Sequence, residues 1–133
     1  MEIIDYYTNR KITAQEFIAV LQKSTLSERR PVHDLSRIQS MLDHANIIVT
    51  AWAGHQLVGV SRAMCDVGFC CYLSDLAVDQ QFQKQGIGKK LIEETHRAAG
   101  DHAQLILLAA PAAVQYYPRL WRLDIYGHAP PDW

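Results

Sequence analysis

Three strand-like runs follow one another over residues 46–53, 56–64 and 69–78, with only a few residues between them. The Gly54-His55 pair suits a tight hairpin turn after the first run, and an Asp-Val-Gly sequence at 66–68 supplies a turn after the second. A parallel crossover needs roughly a dozen residues or more, so strands joined this closely pair antiparallel. The sequence therefore predicts an antiparallel meander of three strands, around which the remaining elements have to fit.

A strand and two helices are predicted before the meander. Residues 2–8 mix Ile and Tyr with polar residues, which favours a first strand. Thr13, followed by Glu16, has the capping-box spacing that begins a helix, here over 14–24. Asp34 is placed to cap a second helix.

A helix and a buried strand are predicted after the meander. An amphipathic helix follows Gly86-Ile87-Gly88, with Ile87 on its inner face, and stops at Gly100. The uniformly apolar run 104–109 is typical of a strand buried on both faces. A further helix over 111–117 opens on a proline, and a final strand is expected within 119–133. The predicted order is β-α-α-β-β-β-α-β-α-(β), an α/β (α+β) domain with a mixed, mostly antiparallel central sheet flanked by helices.

Length and charge limit the function classes. A chain of 133 residues has the size of one small domain, so we predict a single domain over 1–133. Thirteen lysines and arginines against fourteen acidic residues give a net charge of -1, which argues against electrostatic binding of nucleic acid. The most apolar stretch, 105–114, is far shorter than the roughly twenty residues that span a bilayer, so no membrane partner is predicted.

The cysteines and histidines do not form a metal-binding pattern. Cys65, Cys70 and Cys71 lack ligand spacing, neighbours on a strand point to opposite faces, and the six histidines are scattered. We therefore expect no metal. The odd number of cysteines and the lack of an export signal at the N-terminus favour a cytoplasmic protein with reduced thiols.

A polar loop with two glycines joins the last strand of the meander to the amphipathic helix. Gly86 and Gly88 let a ligand approach the backbone closely, and the free N–H groups and dipole of a helix N-terminus favour phosphate or pyrophosphate. Three lysines add positive charge nearby: Lys84, Lys89 and Lys90. Leu91 stands where a dinucleotide fingerprint requires glycine, and the spacing before Gly88 does not match a P-loop, so neither NAD nor ATP is implied.

Two motifs in the chain resemble those of a known family. The loop Gln83-Lys84-Gln85-Gly86-Ile87-Gly88 resembles the Gln/Arg-x-x-Gly-x-Gly/Ala signature of the GNAT superfamily of N-acetyltransferases. Residues 113–120, Ala-Val-Gln-Tyr-Tyr-Pro-Arg-Leu, are similar to that family's second motif, usually Ala-x-x-Phe-Tyr-x-x-x-Gly-Phe, and the element order agrees over most of the chain. The usual Gly-Phe is absent, since Trp121-Arg122 follows Leu120, and this departure leaves the last strand and the acceptor-side wall undetermined.

The resemblance implies acetyl-coenzyme A as the acyl donor. In the family, backbone amides of the signature loop hold the pyrophosphate. The end of the preceding strand pairs with the pantetheine arm and positions the thioester carbonyl. The loop residues implied here are Gln83, Lys84, Gln85, Gly86, Ile87, Gly88 and Lys89. The strand residues are Leu76, Ala77 and Val78.

Two residues are candidates for the proton transfers that amine acetylation requires. Tyr117 matches the tyrosine of the second motif, which the family places near the coenzyme sulfur, so the resemblance implies that it protonates the leaving thiolate. Tyr116 matches the motif's phenylalanine. Asp75 is the only carboxylate inside its predicted strand, and it is a candidate to accept the amine's proton or to fix its ammonium group. It is equally a candidate to brace backbone or a cation, and attack through ordered water needs no dedicated base.

Fewer residues are candidates for binding the acceptor. Arg29 and Arg30 lie between the first two helices, a region that borders the acceptor site in the family, and they are candidates to recognise a carboxylate or phosphate. The alternative is that Arg29 and Arg30 only belong to a solvated loop. Tyr72 is a third candidate for acceptor binding.

Strict alternation along the predicted strand 69–78 sorts its side chains into two faces. Leu73, Asp75 and Ala77 share one face, and Tyr72, Ser74, Leu76 and Val78 share the other.

These features predict an acetyl-CoA-dependent N-acetyltransferase that transfers the acetyl group directly, in a ternary complex, to a primary amine of a small molecule or peptide. A covalent cysteine route is not expected, because no base accompanies Cys70 or Cys71. The alternatives are an acetyl-CoA sensor without turnover, or an enzyme with a different acyl donor or acceptor. A homodimer is a further expectation, from the edge strands together with Trp121 and Trp133.

Overall fold

A six-stranded mixed sheet runs through the computed structural model, which describes residues 3–24, 26–109 and 124–128. The strands lie in chain order: β1 (Ile4–Thr8), β2 (Ile47–Ala53), β3 (Gln56–Cys65), β4 (Cys70–Val78), β5 (Gln104–Ala109) and β6 (Asp124–His128). The first four pair antiparallel, whereas β4 with β5 and β5 with β6 pair parallel. The predicted meander and the mixed, mostly antiparallel sheet are confirmed.

In the described part of the chain, three α-helices flank the sheet: α1 (Ala14–Ser24), α2 (Leu35–His44) and α3 (Ile87–Ala99). The predicted capping box begins α1, because the Thr13 hydroxyl accepts from the Glu16 amide at 3.0 Å and the Glu16 carboxylate accepts from the Thr13 amide at 2.9 Å. The Asp34 carboxylate accepts from the Arg37 amide at 3.1 Å and so caps α2. Gly100 ends α3 as predicted.

Two apolar layers hold these elements together. One lies between the sheet and α3, where Leu91 and Ile92 are fully buried. The other lies between the opposite face of the sheet and α1 with α2, where Phe17 and Ile38 are fully buried. Removing this much apolar surface from water on both faces is the main contribution to the stability of such a fold.

Gly59 sets how closely α3 approaches the sheet. A Cβ atom at this position would lie 3.0 Å from Leu91 Cδ1 and 3.2 Å from Ile87 Cγ2. Gly59 is also the register partner of Val78, the last residue of β4. The missing side chain therefore lets the first turns of α3 pack directly beside the end of β4.

A β-bulge in β4 overturns the expected sorting of its side chains. Arg62 pairs with Asp75 and the next residue, Ala63, pairs with Leu73, so Ser74 is an extra residue. As a result, Leu73 packs in the layer beneath α3, whereas Ala77 packs beneath α1 and α2. The prediction that Leu73, Asp75 and Ala77 share one face is wrong. Strict alternation fails at the bulge, because two residues of β4 lie opposite one residue of β3 there.

Several predicted features lie outside the described residues. They are the helix over 111–117 with Tyr116 and Tyr117, the Trp121-Arg122 pair and Trp133. The first strand begins at Ile4, and the final strand expected within 119–133 is β6. Along the described ranges, no helix has both the length and the apolar character needed to cross a membrane.

Candidate active site

The loop before α3 leaves the helix N-terminus open. Gly86 is the N-cap residue, with a φ of 82°, and it provides no side-chain cap. Its carbonyl accepts the first helical hydrogen bond, from the Lys90 amide at 3.0 Å. The loop residues 83–86 are exposed. The N–H groups of the first helical turn have no intrahelical acceptors, so this end of α3 is electrostatically suited to an anion.

One hydrogen bond fixes that loop to β4, and another fixes the residue that follows β4 to β3. The Gln83 side chain donates to the Val78 carbonyl at 3.0 Å, and the Asp79 amide donates to the Val58 carbonyl at 2.8 Å. The Asp79 carboxylate also accepts from the Gln81 amide at 2.9 Å, which begins a single 3-10 turn over Gln80–Phe82. The Gln83 contact thus holds the start of the loop 83–89 against Val78, at the end of the strand residues 76–78.

The edge of β4 that faces β5 is only partly paired. Within the described residues, the register between these strands covers three pairs and ends at Tyr72 with Ile106. The residues of β4 beyond Tyr72 keep their pairing with β3 alone. Unpaired backbone groups at a strand edge can bind an extended ligand as an additional strand would bind. The open edge leads directly to the Gly86 loop.

A buried carboxylate lies beside this edge, on the face of the sheet covered by α1 and α2. Asp75 is fully buried, and its two oxygens accept from the Nε atoms of Arg30 and Arg62. Arg62 also donates to the Met41 carbonyl at 3.2 Å and the Ser74 hydroxyl at 3.1 Å. The ion pairs therefore tie β3, β4, the C-terminal part of α2 and the segment after α1 to one another.

Arg30 and Arg29 differ in how their guanidinium groups are used. Besides Asp75, Arg30 donates to the Ser74 carbonyl and to the Arg29 carbonyl, each at 2.8 Å. Arg29 ends a 3-10 turn over Leu26–Arg29, and its Nη1 atom is buried without a hydrogen bond to any described residue. Tyr72, the third acceptor-side candidate, is half-buried on β4.

Arg62 is a site residue that had no place in the sequence predictions. The signal for it was a charged residue inside the apolar run of β3, the same kind of signal that singled out Asp75 in β4. Neither signal alone identifies the partner. The register of β3 on β4 pairs the two residues directly, and this pairing brings the guanidinium to the carboxylate.

Neither Cys70 nor Cys71 is poised as a nucleophile. Burial raises the pKa of the Cys71 thiol, and the hydrogen bond to the Asp66 carboxylate raises the pKa of the exposed Cys70 thiol. A raised pKa keeps the unreactive thiol form at neutral pH. In the part of the chain that the structure describes, no three histidine, cysteine or acidic residues are grouped closely enough to hold a metal ion.

Comparison with known proteins agrees with the fold. The profile of the acetyltransferase (GNAT) domain matches residues 9–120. A GNAT-family acetyltransferase from Streptococcus pneumoniae is 21% identical with a TM-score of 0.72, covering 89% of this chain and 86% of that one. The GNAT-family N-acetyltransferase YhbS from Escherichia coli, in complex with CoA, is 21% identical with a TM-score of 0.67, covering 90% and 68%. The chain belongs to the GNAT acetyltransferase family.

Curated relatives are longer than this chain. The GCN5-related N-acetyltransferase 2, chloroplastic, of Arabidopsis thaliana is 36% identical over 67 residues, which make up 49% of this chain and 26% of that protein. An uncharacterized N-acetyltransferase, ycf52, of Porphyra purpurea is 29% identical over 94 residues, 65% of this chain and 53% of that protein. The chain thus spans between about a quarter and about half of the length of these relatives.

Proposed function

We propose that this chain is an N-acetyltransferase that moves the acetyl group of acetyl-CoA to a primary amine by direct attack in a ternary complex. The observation that carries the proposal is the open edge of β4 leading into the uncapped N-terminus of α3. An extended pantetheine arm can pair with the edge while the pyrophosphate binds at the helix end. Membership of the GNAT family supports the acyltransferase chemistry.

Each part of the coenzyme has a proposed partner. The backbone of Gln85, Gly86, Gly88 and Lys89 would bind the pyrophosphate, with Gln83, Lys84 and Ile87 beside it. The backbone of Leu76, Ala77 and Val78 would bind the pantetheine arm and polarise the thioester carbonyl. That the related YhbS structure contains CoA supports this assignment.

The two proton transfers are assigned differently. Tyr117 is proposed to protonate the departing thiolate, as the resemblance implies. Asp75 is proposed to brace Arg30 and Arg62, since both of its oxygens already accept from these guanidinium groups. The amine would then lose its proton to ordered water, an alternative to Asp75 as the general base. The raised pKa values of the Cys70 and Cys71 thiols support direct attack over an acyl-cysteine intermediate.

The rival function is an acetyl-CoA sensor that binds the coenzyme without turnover, and a different donor or acceptor on the same fold is a second alternative. The cytoplasmic location, the single domain over 1–133 and the homodimer stay predictions. So does the absence of a nucleic-acid partner.

Release of free thiol from acetyl-CoA, measured over a panel of primary amines, separates an enzyme from a sensor. An enzyme releases thiol in proportion to the acetylated amine and only slowly without an acceptor. Replacing Tyr117 with Phe removes only the hydroxyl group, so turnover should fall by roughly 10² to 10⁴, the usual contribution of a general acid. Coenzyme affinity should stay close to that of the wild type, since the aromatic ring is kept.

Tyr116→Phe is the matched control, because the family motif has phenylalanine at that position, and it should leave turnover nearly unchanged. If Tyr116→Phe abolishes turnover instead, the two tyrosines have been assigned the wrong way round. If no amine promotes thiol release although acetyl-CoA binds, the chain is the sensor.

A further inference from the structure

Arg29 carries a buried donor without an acceptor. Its Nη1 atom is shielded from solvent and makes no hydrogen bond within the described part of the chain. A desolvated guanidinium N–H that lacks a partner is costly, and native proteins rarely keep one unless it has a role. The donor is therefore positioned for an acceptor that this chain does not itself provide among its described residues.

The surrounding charges favour a negative group as that acceptor. Two guanidinium groups, those of Arg30 and Arg62, are ion-paired with one carboxylate, that of Asp75, and the backbone carbonyl of Arg29 accepts from Arg30. Each oxygen of Asp75 accepts from one of these two guanidinium groups, and Arg29 Nη1 makes no hydrogen bond to Asp75 or to any other described residue. The excess of positive charge, in a partly buried setting, suits an oxyanion that binds a planar guanidinium group.

The backbone of Arg29 is also held near β4. Arg30 donates to the Arg29 carbonyl and to the Ser74 carbonyl, and Ser74 lies two residues before Leu76 on the open edge of β4. Because Asp75 fixes the Arg30 guanidinium, it also fixes the Arg29 backbone relative to that edge. Arg30 and Asp75 are positioning residues, and Arg29 is left to bind a ligand.

We propose that the acceptor is a primary amine that also carries an oxyanion, a carboxylate or a phosphate, and that Arg29 binds this group. The proposal rests on the proposed function, since it names the class of acceptor for the same site. The proposal assigns the ligand to Arg29 and not to Arg30, because the Arg30 guanidinium already donates to Asp75 and to two backbone carbonyls. A bidentate arginine contact would give the enzyme a preference for anionic over neutral amines of the same length.

Matched pairs of amines test the proposal without depending on turnover. The carboxylate pair is 5-aminopentanoate with 5-aminopentanamide, and the phosphate pair is phosphoethanolamine with ethanolamine. The side-chain N–H signal of Arg29 in the NMR spectrum, assigned by its loss in Arg29→Gln, should shift with an anionic member and not with its neutral partner. The pair that responds tells whether the oxyanion is a carboxylate or a phosphate. Equal shifts for both members of each pair, or none, would overturn the proposal.

Thiol-release kinetics supply a second readout. The wild type should have a KM roughly 10- to 100-fold lower for the anionic member, and Arg29→Gln should make the two KM values converge with little change in kcat. Arg29→Lys should restore part of the preference, because it keeps the charge without the planar fork. Arg37→Gln, an exposed arginine on α2, is the control and should leave the preference intact.

The two proposals fail in different ways. Thiol release that is equally fast with anionic and neutral amines would overturn the anionic acceptor and leave the acetyltransferase standing. A shift of the Arg29 signal with anionic amines, but no thiol release with any amine, would support the anion site and overturn the enzymatic function.

Discussion

At the scale of single residues, Asp75 decides how Arg30 and Arg62 are held. Its carboxylate lies in the interior with two guanidinium partners, one from β3 and one from the segment before α2. Removing one partner from a buried ion pair is more costly than the pair is worth, since the remaining charge stays desolvated. The bracing role and the general-base role of Asp75 therefore predict different consequences of the same substitution.

Asp75→Asn separates these two roles. As a brace, the substitution leaves two guanidinium groups without a carboxylate, and the free energy of unfolding should fall by about 3–5 kcal/mol. Urea denaturation measures this loss. Asp43→Asn, at an exposed position on α2, should change stability by no more than about 0.5 kcal/mol. Wild-type stability of Asp75→Asn combined with a collapse of turnover would instead identify Asp75 as the general base.

At the scale of elements, the start of α3 needs glycine at position 86 for two reasons: the backbone conformation and the space for the proposed ligand. Gly86 adopts a left-handed conformation, and a Cβ atom built there would have no neighbour within 4 Å. A substitution is therefore strained by the backbone alone, by roughly 1–2 kcal/mol, and the space beside the glycine is free for the phosphate of the proposed coenzyme. Gly59 is needed for the packing of α3 and not for its start, because a side chain at position 59 would have no room beneath the helix.

Gly86→Ala and Gly86→Glu should separate strain from ligand repulsion. Both should weaken coenzyme binding measured by calorimetry, and the glutamate should weaken it more because its charge repels the phosphates. Gly100→Glu is the matched control. Gly100 also has a positive φ and an open Cβ position, but it lies at the other end of α3, so its substitution should leave affinity unchanged. A folded Gly86→Glu protein with wild-type affinity would show that the pyrophosphate binds elsewhere.

At the scale of the whole molecule, the proposed coenzyme site depends on the assembled sheet and helix. The proposed site uses β4 and the N-terminus of α3, and α3 packs on β2, β3 and β4. A ligand that binds only this assembled arrangement stabilises the entire fold through mass action.

Acetyl-CoA should therefore raise the melting temperature without any acceptor present. At about 100 times its dissociation constant, the coenzyme should stabilise the fold by roughly 2.7 kcal/mol, which shifts the melting temperature of a domain of this size by several degrees. Differential scanning fluorimetry measures the shift. NAD and ATP should produce much smaller shifts, and the absence of any shift with saturating acetyl-CoA would contradict the proposed coenzyme site.

Much of this molecule was predictable from local sequence. The capping box at Thr13, the Asp34 cap, the meander and the bounds of α3 all depend on residues within a few positions of one another. Periodicity and capping chemistry detect such relations directly. The Gly86 loop was recognisable for the same reason, because its signature is contiguous in the chain.

Other features were decided only in three dimensions. Asp75 meets Arg62 across 13 positions and Arg30 across 45, and no local pattern encodes either partner. The bulge at Ser74 exists only relative to β3, so alternation along β4 alone assigned Asp75 to the same face as Leu73. Chain periodicity determines which segments form strands and helices. Strand register and the packing of α1 and α2 determine which charges are buried together, and they leave a buried guanidinium nitrogen of Arg29 without a partner among the described residues.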